Sequence, residues 1–275
     1  MKPVAFDYER PRELASAIRL LREASGAGKV MAGAQSLGPM LNLRLAQPRL
    51  IVDVRSVPDL QDVRESDDNL FFGSCVTHAA IEDARVPDPS RGLMREVAAN
   101  IAYRAVRNRG TIGGSLCHAD PAADWPNVLP VLGAIAVIGR ADGTREVPVE
   151  RFMTGAFSTV LADDEILVGI RVPKLSARAR WGHYKFCRKP GEFPEAMAAI
   201  VVDPQRNIRR AVIGAIHGAP YVIGDASFVA DGFDSERALA AIDAAGIGDD
   251  AYERQVHFTA LKRAAGRALS LRGTA

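Results

Sequence analysis

The residues in this sequence best placed to do chemistry are small ones. In the run Asn108-Arg109-Gly110-Thr111-Ile112-Gly113-Gly114-Ser115, three glycines fall within five positions, and the hydroxyls of Thr111 and Ser115 stand on either side of the last two. Glycine lets a ligand approach the backbone without a Cβ in the way, and it takes φ > 0 freely. Successive N–H groups turned toward one point form a concavity suited to phosphate. The run continues through Cys117, His118 and Asp120-Pro121, after which the sequence predicts a helix start with Asp124 in its first turn. A second run, Ala32-Gly33-Ala34-Gln35-Ser36, follows the apolar step Val30-Met31. A strand that breaks at small residues and opens a helix at Ser36 sets N–H groups at a helix N-terminus, which is a ready anion site. Neither run fits G-x-G-x-x-G or the phosphate loop ending in Gly-Lys-Ser/Thr, so the pair points away from the two commonest nucleotide folds.

The elements that must hold these runs can be read in order. Val4-Ala5-Phe6 reads as a strand, and Leu14, Ala17, Ile18 and Leu21 form a helical stripe that begins near Pro11 and ends at Gly26. A strand at Gly28 to Met31 enters the first glycine run. Leu37, Met40, Leu41 and Leu43 read as the core side of a short helix, and Leu50 to Val54 as a third strand, which completes a small α/β unit. Val63–Ser66 and Leu70–Gly73 form a hairpin pattern around Asp67-Asp68-Asn69. Thr77 is placed to cap a short helix containing His78 and Ile81. A further helix, opened by Asp88-Pro89-Ser90, shares Leu93, Val97 and Ile101 on one face and leads to the central run. Beyond Asp124, Trp125 to Leu132 reads as helical. Ile135 to Ile138 and Arg145 to Pro148 flank the hairpin signal Asp142-Gly143, and Ile166 to Val172 reads as a strand. Pro173 and the polar run Lys174 to Arg180 mark a boundary. Strands at Trp181–Phe186, Ala198–Val202 and Ile208–Ile213 follow, then helices at Ser235–Ala245 and Asp249–Leu271, an α+β order.

Composition narrows the function classes. The chain has 275 residues, 48% hydrophobic and 25% charged, with a net charge of +2, which is ordinary globular composition without the basic footprint of a nucleic-acid binder. No apolar stretch approaches the roughly 18 residues of a membrane span, and the N-terminus turns charged at once, so a cytoplasmic protein is expected. Three cysteines, Cys75, Cys117 and Cys187, stand far apart without any C-x-x-C. They are expected to be small buried residues rather than ligands of a cluster or of zinc, with Cys117 just past the central run. His78 and His118 are candidate bases by type but read as cap or packing residues. His183, His217 and His257 form no sequence cluster.

The two glycine runs, Leu43-Arg44-Leu45-Ala46-Gln47-Pro48, Ala119-Asp120-Pro121-Ala122-Ala123-Asp124, Asp164-Glu165-Ile166-Leu167 and Tyr184-Lys185-Phe186-Cys187-Arg188-Lys189 occur in one order over nearly the whole chain. In that order they resemble the FAD-binding medium subunit of molybdenum hydroxylases, the family of the carbon monoxide dehydrogenase medium subunit and xanthine dehydrogenase FAD subunits. The resemblance implies an α+β protein. A two-part FAD-binding domain of the PCMH type spans 1–173, with a small α/β subdomain to about 54 and a larger α+β subdomain from 55. A carbon monoxide dehydrogenase flavoprotein-like α+β domain spans 174–275.

The same resemblance assigns FAD contacts to Ala32, Gly33, Ala34, Gln35, Ser36, Ile101, Thr111, Ile112, Gly113, Gly114, Ser115, Asp124, Leu167 and Lys185, with no catalytic side chain and no metal ligand. Asp124 would accept from ribose hydroxyls, Leu167 would pack on a ring, and Lys185 would balance charge on a reduced flavin. Gln35 occupies the loop in which related flavin folds carry a histidine bonded to FAD, so non-covalent FAD is implied. Ala34 stands where the family usually has glycine and must be αR, β or slightly strained. The partners implied are a small subunit with two [2Fe–2S] clusters and a large molybdopterin subunit, in heterotrimers that pair, with Arg104, Arg107 and Arg109 as a candidate docking face. A self-sufficient FAD oxidase and a flavin-free scaffold are the rival readings; the first needs a proton-abstracting residue among the last hundred residues.

Overall fold

Residues 1–270 are described by the computed structural model of the chain. The first lobe contains β1 (Asp7–Glu9), α1 (Leu14–Ala24), β2 (Gly28–Met31), α2 (Leu37–Asn42) and β3 (Leu50–Asp53). Its sheet has the order β1-β3-β2, with both pairs parallel. Ala17, Ile18 and Leu21 bury the inner face of α1, and Ser25 in the left-handed region (φ 48°) stops the helix by donating its N–H to Arg22 O. The first strand lies three residues beyond the expected Val4-Ala5-Phe6. Pairing with β3 decided it, through Asp7 opposite Leu50 and Asp7 N–H on Arg49 O, although β1 is exposed throughout. Of the expected core side of α2, Leu41 is buried, Leu37 and Met40 are half-buried, and Leu43, at the C-cap, is 52% exposed.

The second part contains β4 (Val63–Glu65), β5 (Asn69–Gly73), α3 (His78–Glu82), α4 (Leu93–Ala99), α5 (Arg104–Arg107), α6 (Ile112–His118), α7 (Asp124–Val128), β6 (Ile135–Arg140), β7 (Gly143–Pro148), β8 (Met153–Gly155), β9 (Ser158–Thr159) and β10 (Ile166–Pro173). Both expected hairpins form, and β10 joins them into one antiparallel sheet in the order β4-β5-β10-β6-β7. The final part is the antiparallel sheet β11 (Arg180–Phe186), β12 (Ala196–Asp203), β13 (Ile208–Gly214) and β14 (Tyr221–Ile223), followed by α8 (Ser227–Ala230), α9 (Ser235–Ala244) and α10 (Ala251–Ser270). Asp234 caps α9 by accepting from the N–H groups of Glu236 and Arg237. Leu271, the expected end of the last helix, lies outside the described residues.

Three apolar clusters hold these layers. Leu70, Phe72, Leu93, Ile112, Trp125 and Ile138 belong to the central one, which extends to Met197, Ala199 and Val201 on one face of β12. The opposite face of β12 (Ala198, Ile200, Val202) packs on α8, α9 and α10 through Val229, Ile242 and Leu261. β12 is therefore buried along its full length, which is why its sequence is a continuous apolar run. Ile166 and Val168 of β10 reach the third cluster, with Ile18, Leu21 and Val52 of the first lobe.

Candidate functional site

The two glycine runs meet. A Cβ built on Gly33 would lie 2.1 Å from Arg109 O and 2.8 Å from Gly110 Cα, so glycine is required there by close backbone approach. Gly113 is equally confined: its Cβ would fall 2.3 Å from Ser74 Cβ. The segment from Ser74 to His78 runs beside Gly110 to Gly113, with Gly113 N–H on Ser74 O, Ile112 N–H on Val76 O and His78 N–H on Gly110 O, each at 3.0 Å. None of Gly33, Gly110, Gly113 and Gly114 takes φ > 0; in the first run the left-handed residue is Ala34, at φ 59°. Of the conformations open to Ala34, the strained one is adopted.

The central run is not a loop before a later helix: it is the N-cap and first turn of α6. Thr111 caps it by accepting from Gly114 N–H at 3.0 Å. The N–H groups of Ile112, Gly113, Gly114 and Ser115 are all spent on partners within the chain, on Val76 O, Ser74 O, Thr111 Oγ and Thr111 O. The run therefore offers an anion its hydroxyls and the positive end of the helix dipole rather than a nest of free donors. Free donors lie on the other run. Among the described residues no acceptor meets the N–H groups of Ala34, Gln35, Ser36 and Leu37, while the Gln35 amide turns back onto Gly33 O at 3.0 Å. A Cβ on Gly114 would meet nothing within 4 Å except the Thr111 hydroxyl, at 2.8 Å.

Asp124 does open a helix, α7, and it is buried. Lys185 on β11 reaches it across the domain: Nζ lies 2.9 and 3.2 Å from the two carboxylate oxygens and donates to Asn100 O at 2.7 Å. Burial pushes the Asp124 carboxyl above its ordinary range, and the nearby charges of Lys185 and His183 pull it back. Ile101 follows Asn100 beyond the end of α4, half-buried against the central core, so it is not on the helical face expected for it. Leu167 is 2% exposed inside the central cluster, at a register shift of β10 against β6. Ile112 is likewise core, with no exposed surface.

His78, read from the sequence as a cap or packing residue, and Ser74, which the sequence did not single out, tie these parts together. His78 is buried, its Nδ1 accepting from Trp125 Nε1 at 3.0 Å. Burial, aided by the Arg107 charge, pushes its imidazole down to about 4, so it is neutral at pH 7 and packs rather than acting as a base. Ser74 is the floor under Gly113, and its only advance signal is the glycine itself. Of the cysteines, Cys75 is buried, Cys187 is intermediate and Cys117 is exposed, which corrects the expectation that all three are core. Arg107 turns inward onto Glu82, Arg104 pairs with Glu82 and Asp83 while staying 47% exposed, and only Arg109 of the expected docking trio has no side-chain partner among the described residues. Beneath the first run, Asp53 at the end of β3 takes the Arg55 guanidinium and the Tyr8 hydroxyl and is held at about 2.

These two depressed values act in separate acid windows. His78 is neutral in the folded chain and must lose that state as pH falls, so its contribution is whole above about 6.5 and lost toward 4, roughly 3 kcal/mol. Asp53 contributes above about 3.8 and loses at most roughly 2 kcal/mol toward pH 2. Urea unfolding of the flavin-free chain across this range is expected to show a stability slope between pH 6.5 and 4 that His78→Asn removes. A wild-type slope that survives the substitution contradicts the assignment.

The approach of Gly33 to Arg109–Gly110 thus joins an α/β lobe with unpaired N–H groups to the hydroxyl-bearing start of α6. The chain belongs to the family described as the FAD binding domain in molybdopterin dehydrogenase, which residues 4–175 match. It is thus a flavoprotein of the oxidoreductase class, with FAD as its cofactor. It is 38% identical over 203 residues to the caffeine dehydrogenase subunit beta of Pseudomonas sp. (strain CBB1), covering 74% of this chain and 69% of that protein. Against the carbon monoxide dehydrogenase medium chain of Hydrogenophaga pseudoflava it is 32% identical over 250 residues, covering 89% and 87%. A solved carbon monoxide dehydrogenase from the same organism superposes with TM-score 0.88 at 30% identity, covering 98% of this chain and 99% of the other. Among the described residues no helix is long and apolar enough to cross a membrane, and no group of three or more His, Cys, Asp or Glu is placed to hold a metal.

Proposed function

We propose that this chain is the FAD-carrying subunit of a molybdenum hydroxylase, receiving electrons from [2Fe–2S] clusters on a small partner and delivering them to an external acceptor. The observation that carries this reading is the approach of Gly33 to Arg109–Gly110, which sets the unpaired N–H groups of residues 34–37 beside the start of α6. Two phosphates need such donors, and the Thr111 and Ser115 hydroxyls with the α6 dipole add to them.

In this reading Ala32 to Ser36 and Thr111 to Ser115 bind the pyrophosphate, and Asp124 accepts from ribose hydroxyls. Ile101 and Lys185 border the flavin, and Leu167 backs the site from the central core. Bound FAD supplies the conversion between single-electron and two-electron transfer. The chain's residues bind, orient and shield: Lys185 presents positive charge at a half-buried position, and Asp124 holds that ammonium in place. Gln35 has no imidazole to bond to the flavin, so FAD is held reversibly. The C-terminal histidines offer no base cluster for substrate chemistry: His183 and His257 are buried and His217 is 84% exposed. The chain divides at 173/174, and it assembles with small [2Fe–2S] and large molybdopterin subunits in heterotrimers that pair.

Acid precipitation of the purified chain is expected to release FAD into the supernatant. The lone chain is expected to leave its flavin oxidised in the presence of an aldehyde, a heterocycle or carbon monoxide, and to be reduced only when both partners are added with the substrate of the complex. Yellow colour retained by the pellet contradicts reversible binding. Substrate-driven bleaching of the lone chain overturns the electron-exit role.

A further inference from the structure

We infer that His78 is a positioning residue for the cofactor site, bracing Asp124 against the start of α6 through its hydrogen bond with Trp125. This rests on the FAD reading above. His78 touches both arms of the site. Its main-chain N–H donates to Gly110 O at 3.0 Å, and its neighbour Thr77 pairs with Thr111, the cap of α6. Its ring lies directly over Gly110, where a Cβ would come 2.8 Å from Nε2 and 2.9 Å from Cδ2. On the other side Nδ1 accepts from the indole of Trp125, which has no exposed surface and follows Asp124 in the chain. Because Nδ1 accepts, the ring proton sits on Nε2.

Filling this space would require only an apolar side chain; 95% of the His78 surface is covered. What the imidazole adds is an acceptor for a buried indole N–H that has no other partner within the described residues. Losing the bond from either side frees residue 125 to shift, and that shift carries Asp124 with it. The bond therefore sets the distance between the phosphate-binding and ribose-binding arms.

The test is FAD titration into the flavin-depleted full chain, with the stability of the flavin-free protein measured in parallel. His78→Leu keeps volume and loses the acceptor, and it is expected to weaken FAD at least tenfold. His78→Asn loses the ring yet keeps an acceptor where Nδ1 stands, and it is expected to stay within threefold of wild type even if it is the less stable protein. Trp125→Phe removes the same bond from the other side; it should match His78→Leu, and the double variant should be no weaker than either. Should His78→Leu fail to fold, Trp125→Phe and His78→Asn decide. Affinity that follows stability across the set, or a Trp125→Phe variant that binds like wild type, overturns the brace. Gly114→Val separates this from the site itself. If Gly114→Val keeps FAD, the site reading fails. If it loses FAD while His78→Leu keeps it, only the brace fails.

Discussion

Replacing Gly33 by alanine is expected to abolish FAD binding and to destabilise the chain by about 3 kcal/mol or more. The added methyl group would lie 2.1 Å from Arg109 O and 2.7 Å from Arg109 C, both backbone atoms that cannot swing aside as a side chain would. Relief requires the first lobe to move away from the start of α6. That movement separates the unpaired N–H groups of Ala34 to Leu37 from the Thr111 and Ser115 hydroxyls, so affinity and stability fall together. Flavin absorbance per protein after purification and the urea midpoint measure both. A variant that keeps a full complement of flavin would show that the contact does not organise the site.

Lys185→Met is expected to cost about 3 kcal/mol at pH 7, because it leaves the buried Asp124 carboxylate without its ammonium partner. The sign with pH follows from burial. A carboxyl whose folded value is raised holds its proton more tightly in the folded chain, so the deficit shrinks as pH falls through that raised range toward the ordinary value of 3.8. Asp124→Asn in the same chain should recover most of the loss, since a neutral amide needs no counter-charge. Urea unfolding at pH 7 and pH 5 checks this. A deficit equal at both pH values, or unchanged by the second substitution, would show that the cost is one of packing and not of an unpaired charge.

Much of this was legible in the sequence because it depends on near neighbours. The hairpins around Asp67–Asn69 and Asp142-Gly143 formed as read, since turn chemistry acts within four residues. So did the Thr77 cap on Ala80 N–H. The strand-then-helix order of the last hundred residues followed from apolar period alone. The residue types of the two glycine runs and the absence of cluster-forming cysteines likewise needed no coordinates.

What only the tertiary structure decided is everything set by residues far apart in the chain. β1 formed at Asp7–Glu9 rather than at Val4–Phe6 because β3 offered its edge there, a choice no local pattern records. The glycines proved to answer neighbours rather than dihedral angles: Gly33 yields to Arg109 and Gly113 to Ser74, whereas the left-handed position went to Ala34. Which run carries free donors could not be read from composition, because the N–H groups of Ile112 and Gly113 are claimed by Val76 and Ser74 from another segment. Asp124 and Lys185, 61 positions apart, became one ion pair only when α4 packed on β11 and α7 on the neighbouring strands β12 and β13. Local sequence determines which turns and helices form, since their hydrogen bonds close over a few residues. Which donors remain unpaired, and which charges are buried together, depends on packing between distant segments and was settled only by the fold.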